Sequence, residues 1–197
     1  NPSGKLPFSF PQSTGHLPAY YNYLPTDKGY YKEPGTYTSP GRDYVFSSPA
    51  PLWTFGHGLS YTRFEYVQAT TDKTSYQPHD TIRISVKVKN SGELAGKEVV
   101  QVYYEAPQGA LGQPARQLCA YEKTENLAPG QSQTLKIAFD INGIASYDDS
   151  GVTGNKSCYV LEAGDYNFYV GNSVKNNKRA YTYKIEELKV TEQLSEA

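Results

Sequence analysis

The strongest constraint on this chain is a two-residue period. Ile82, Ile84, Val86 and Val88 alternate with Arg83, Ser85, Lys87 and Lys89, and the run ends in the turn Asn90-Ser91-Gly92. Side chains of a strand point alternately to opposite faces, so this pattern has one buried and one wetted face and fits a half-buried β-strand. Val100, Val102 and Tyr104 repeat the period, as do Leu135, Ile137, Phe139 and Ile141 behind the turn Ala128-Pro129-Gly130. Tyr166, Phe168 and Val170 lie between Gly164 and Gly171, and Tyr181, Tyr183 and Ile185 close the series. With Tyr61 to Val67 in front and Leu118 to Tyr121 between, about seven strands are predicted after residue 58. That count, with turn residues between the runs, predicts a mainly β chain built as an antiparallel β-sandwich. Residues 191–197 carry no pattern and read as a tail or linker.

Residues 1–58 differ in kind. Pro2, Pro7, Pro11, Pro18, Pro25, Pro34, Pro40, Pro49 and Pro51 leave no room for a helical period, because each removes a backbone donor and restricts its predecessor. The segment nevertheless carries Phe8, Phe10, Tyr20, Tyr21, Tyr23, Tyr30, Tyr31, Tyr37, Tyr44, Phe46, Trp53 and Phe55, far more aromatic surface than a solvated linker holds. It reads as a docking arm whose aromatics are buried against something outside the chain. The domain division is therefore 1–58 for the arm, 59–190 for the sandwich and 191–197 for the tail. A chain that starts at Asn1 and contains no methionine reads as a piece of a larger protein.

Composition excludes some functions. Nineteen basic against 20 acidic residues give a net charge of −1, without the basic footprint of a nucleic-acid binder. No apolar run reaches 18 residues, so no membrane span is expected. No targeting segment is visible, so cytoplasmic and secreted locations both stay open. Cys119 and Cys158 are too few for a disulfide scaffold and read as free buried thiols. His16, His57 and His79 are scattered without metal-ligand spacing, so neither a metal site nor a cofactor is expected. Asp27, Glu33 and Asp43 sit beside basic or turn residues and read as surface turns. Asp148-Asp149-Ser150-Gly151 matches part of a calcium loop but lacks its other ligand positions, and a turn is the better reading. The aromatic arm holds the one compositional hint of a site. Tyr30, Tyr31 and Trp53 could stack on sugar rings or fill an interface, and both readings stand at this point.

Longer motifs go further. Gly4-Lys5-Leu6-Pro7-Phe8-Ser9-Phe10-Pro11, followed by Gly15-His16-Leu17-Pro18-Ala19-Tyr20-Tyr21-Asn22, resembles a signature near the end of the α/β-sandwich domain of glycoside hydrolase family 3. Pro51-Leu52-Trp53-Thr54-Phe55-Gly56-His57-Gly58-Leu59-Ser60-Tyr61-Thr62 is similar to a second motif of that family. Val88 to Gly92, Ala95 to Tyr103, Leu127 to Gly130 and Leu161 to Tyr166 resemble its fibronectin type III-like domain. The resemblance implies that residues 1–58 belong to the α/β-sandwich domain and that a fibronectin III-like β-sandwich follows. It also implies a retaining β-glycosidase, typically a β-glucosidase, working through two carboxylates. In the family the nucleophile is an aspartate of a barrel domain and the acid/base a glutamate upstream of the first motif. Neither position lies in this chain, so it carries no catalytic residue and is expected to be inactive alone. The implied partners are a barrel-bearing segment of the same enzyme and a β-glucoside or oligosaccharide substrate, with Tyr30, Tyr31 and Trp53 at the substrate rim. The alternative is a stand-alone carbohydrate-binding or structural β-sandwich module.

Overall fold

The computed structural model describes residues 2–14, 17, 19–22, 50–76 and 80–195. In chain order the strands are β1 (Phe64–Thr71), β2 (Thr81–Asn90), β3 (Val99–Glu105), β4 (Gln117–Lys123) and β5 (Ser132–Asp140). They continue with β6 (Ser146–Asp148), β7 (Cys158–Leu161), β8 (Gly164–Gly171), β9 (Asn177–Ile185) and β10 (Lys189–Gln193). One sheet has the order β1-β2-β5, the second β4-β3-β8-β9, and a small third sheet β10-β7-β6. All pairings are antiparallel.

The period-two residues build the core between the two larger sheets. Ile82, Ile84 and Val86 of β2 stand opposite Phe139, Ile137 and Leu135 of β5. These side chains join Val100, Val102 and Tyr104 of β3, Tyr166, Phe168 and Val170 of β8, and Tyr183 and Ile185 of β9 in one buried cluster. A one-residue slip of β2 would send Arg83, Lys87 and Lys89 into that cluster, so burial fixes the register. Turn chemistry agrees with it. Pro129 and Gly130 occupy the central positions of a type II turn, with Gly130 at φ 78° and Gln131 N–H donating to the Ala128 carbonyl at 3.0 Å.

The seven strands expected from alternation are β1 to β5, β8 and β9. The third sheet was not anticipated, because its strands span only three to five residues and show no alternation long enough to read. One expectation is corrected here. The segment after Thr191 is not patternless tail as far as Gln193, since β10 pairs with β7 and Leu194 N–H donates to the Ser157 carbonyl at 2.9 Å. Its backbone donors go to a neighbouring strand, which no side-chain period announces.

Strand β3 departs from simple alternation. Val100 through Tyr104 are all buried, so both faces of the strand are covered. One face meets the sandwich core. The other, carrying Gln101 and Tyr103, lies under the arm.

Candidate functional site

The two ends of the arm meet as a short ribbon. Leu6 N–H donates to the His57 carbonyl and Gly56 N–H to the Leu6 carbonyl, both at 2.8 Å. Phe10 and Trp53 form an antiparallel bridge, with Phe10 N–H to the Trp53 carbonyl at 2.7 Å. The inner side of this ribbon sits on β3 and β4. The Phe55 ring stacks on Tyr21 at 4.0 Å and meets the Tyr103 ring edge-on at 6.4 Å. Leu118, Tyr169 and Val174 complete this second cluster.

Polar groups lock the same junction. The Gln101 amide donates to the carbonyls of Gly56 at 3.1 Å and Asn172 at 2.8 Å, and the Tyr103 hydroxyl donates to the Gln101 side-chain oxygen. Leu118 N–H donates to the Tyr21 hydroxyl at 3.2 Å. Lys5 pairs with Glu98 at 2.7 Å, with both side chains largely out of water. A buried carboxylate needs such a partner, since an isolated charge in an apolar site is costly. The arm is therefore not held only by something outside the chain: its inner aromatics dock on the sandwich. Its outer apolar side chains do not: among the described residues, Phe8, Phe10, Leu52 and Trp53 remain exposed.

Sequence reasoning missed Gln101 and Glu98. The available signal was Val99-Val100-Gln101-Val102-Tyr103-Tyr104, a run with apolar residues at both even and odd positions around one polar residue, which marks a strand buried on both faces.

Of the rim residues expected from the sequence, Tyr30 and Tyr31 lie outside the described residues. Trp53 is 42 % exposed and its indole stacks on the His57 ring at 4.6 Å. Asp27, Glu33, Asp43, His16 and His79 also fall outside the described residues. Among those described, no group of three His, Cys, Asp or Glu side chains could hold a metal ion.

The buried carboxylates serve the backbone. Glu162 accepts from Ala110 N–H at 2.6 Å, and Glu98 accepts from Val99 N–H at 2.7 Å. Asp148 organises the turn that its sequence suggested. One oxygen accepts from the amides of Gly151 at 2.7 Å and Val152 at 3.1 Å, and the other from the amide and hydroxyl of Thr153 at 2.8 and 2.7 Å. Desolvation acts to raise its pKa, but the bonds from Thr153, Gly151 and Val152 outweigh it and hold the carboxyl down at about 2, against an ordinary 3.8. A depressed folded-state pKa means stabilisation that is present above about pH 4 and is lost as pH falls toward 2. Amide exchange at Gly151, Val152 and Thr153 is expected to accelerate over that window, and Asp148→Asn to remove the acid dependence. Both cysteines are free, and burial pushes the Cys119 thiol up to about 12, so it is no thiolate nucleophile at neutral pH.

Residues 98–174 match the fibronectin type III-like domain family. The chain carries a fibronectin type III-like domain. Its whole length, arm included, is 44 % identical to a segment of a β-glucosidase of Ruminococcus albus, covering 100 % of this chain and 20 % of that protein. It is 38 % identical to β-glucosidase A of Butyrivibrio fibrisolvens over 99 % of this chain and 25 % of that one. The solved β-glucosidase of Paenibacillus barengoltzii superposes with a TM-score of 0.79 at 42 % identity, over 99 % of this chain and 22 % of its own. The resemblance to glycoside hydrolase family 3 is borne out, and the chain spans about a fifth to a quarter of the length of these relatives. The fibronectin type III-like domain and the arm on its β3–β4 face are matched together.

Proposed function

We propose that this chain is the non-catalytic part of a retaining β-glycosidase, a β-glucosidase acting on terminal β-D-glucosyl residues. Residues 1–58 are the closing part of the α/β-sandwich domain and 59–190 the fibronectin type III-like domain, with its last strand β10 running on to Gln193. The observation that carries the reading is the arm, which matches β-glucosidases together with the sandwich and is aromatic on both sides. Its inner side docks on β3 and β4, leaving Phe8, Phe10, Leu52 and Trp53 on the outside to receive the rest of an α/β domain. In this role the sandwich braces two carboxylates held on separate domains. A misplacement of about 1 Å can cost roughly 100-fold in rate, so a rigid brace has a kinetic purpose. Tyr30, Tyr31 and Trp53 are assigned to the substrate rim of the assembled enzyme.

The test is reassembly. The purified chain is expected to leave an aryl β-glucoside intact and to restore its hydrolysis when mixed with a barrel-bearing segment of a family 3 enzyme. Hydrolysis by the chain alone overturns the reading, and so does failure to associate with any such segment. In the assembled enzyme, Trp53→Ala is expected to raise KM more than it lowers kcat.

A further inference from the structure

A groove of about 630 Å³ lies between the β3–β4 connection and the β6–β7 turn. Its size falls within the range of small-ligand sites, roughly 300–1,000 Å³. Its lining includes Tyr104, Gln113, Gln117, Tyr147, Asp149 and Val152.

Both walls are held by hydrogen bonds within the chain. Glu162 fixes the first wall through the amides of Ala110 and Leu111 at 2.6 and 3.4 Å. Gln108 bonds twice to the Gln113 backbone, at 2.9 and 3.2 Å. Asp148 fixes the second wall through the amides of Gly151, Val152 and Thr153. The Gln113 amide then ties the walls together by donating to the Ser146 hydroxyl at 2.8 Å. The Tyr147 ring is 43 % exposed but braced from behind, since Tyr159 faces it across the β6–β7 pair with centroids 5.2 Å apart. A wall already ordered costs little entropy when something binds to it.

The chemistry of the lining selects the ligand. Among the described lining residues Asp149 alone is charged, through an exposed carboxylate, and none is Lys or Arg, so phosphate and other anions are repelled. A wholly apolar ligand would leave the amides and the carboxylate desolvated and unpaired. A neutral molecule with an apolar face for a tyrosine ring and hydroxyl donors for a carboxylate and a carboxamide uses all three groups at once. That is a saccharide ring. We infer that this groove is a carbohydrate-binding site, with Tyr147 as the stacking platform and Asp149 and Gln117 as hydroxyl partners. Trp53 is not among the residues that line it. The ligand class follows from the groove; the choice of a β-linked glucan as the probe rests on the proposed function.

The experiment titrates cellotetraose into the 197-residue chain, followed by amide NMR shifts and calorimetry. The expected result is saturable binding with shifts centred on Gln113, Gln117, Tyr147, Asp149 and Val152. Tyr147→Ala is expected to weaken it about tenfold. Val67→Ala, on β1 and outside the groove lining, is expected to leave it unchanged. Tyr147 is half exposed, and an unchanged melting temperature shows that the variant is folded. Asp149→Asn, which keeps the shape and removes the charge, gives a second reading and is expected to weaken binding too. No saturable shifts, shifts confined to the arm, or an affinity indifferent to both groove variants would each overturn the proposal. A groove that binds while the reassembled enzyme leaves aryl β-glucosides intact keeps this site and overturns the proposed function, and hydrolysis without binding does the reverse.

Discussion

Phe168→Ala is expected to lower the unfolding free energy of this chain by about 3–5 kcal/mol. The side chain is fully buried on β8, with the Phe139 ring at 5.1 Å and the Tyr181 ring at 6.4 Å. Its removal loses apolar burial and leaves a cavity that neighbours anchored in two sheets cannot collapse to fill, because β8 is hydrogen-bonded to β3 on one side and β9 on the other. Domains of this size are stable by only about 5–15 kcal/mol in total, so a single side chain carries a large share. The melting temperature is expected to fall by about 10 °C or more. Val67→Ala, at a position nearly half exposed on β1, is the control and should change stability by less than about 0.5 kcal/mol. Urea unfolding of both variants checks the pair. Equal effects would mean that the interior of the sandwich is not close-packed around Phe168.

Gly56→Ala is expected to release the arm while leaving the sandwich intact. Gly56 has φ 78°, a left-handed conformation that costs an L-residue about 1–2 kcal/mol. A Cβ there would also stand 2.2 Å from the Gln101 side-chain oxygen and 2.6 Å from the Tyr103 hydroxyl. Gln101 must move, and with it the hydrogen bonds to the Gly56 and Asn172 carbonyls, each contributing about 1 kcal/mol. The sum is about 3 kcal/mol acting on the junction. Amide exchange at Leu6, Phe10 and Gly56 should therefore quicken by roughly 100-fold, at about tenfold per 1.4 kcal/mol. The amides of Ile84 and Ile137, inside the β2–β5 pair, should keep their protection. If those amides quicken equally, arm and sandwich unfold as one cooperative unit.

The contrast between these two variants follows the line along which the fold was readable. Alternation placed β2, β5 and β8 because each is long and has one face against the core, so its period survives in the sequence. It under-described β3, whose second face is covered by residues about 45 to 80 positions earlier in the chain. Gln101 there looks like an ordinary polar residue until the Gly56 and Asn172 carbonyls are brought to it. It missed β6, β7 and β10 because three- to five-residue strands are stabilised by backbone pairing with distant partners and leave no side-chain rhythm.

The functional residues divide the same way. The resemblance to β-glucosidases was legible, because linear motifs carry their own order and spacing. The groove by Tyr147 was not, since Asp148-Asp149-Ser150-Gly151 reads as a turn and nothing local links it to Gln113 or Gln117. Local chemistry along the chain was enough to specify the seven alternating strands and the turn at Pro129-Gly130, because those depend on neighbours one to four residues away. The docking of the arm, the two-sided burial of β3 and the meeting of two loops over Tyr147 depend on contacts between residues tens of positions apart. Such contacts exist only once the sheets have packed, and no local pattern encodes them.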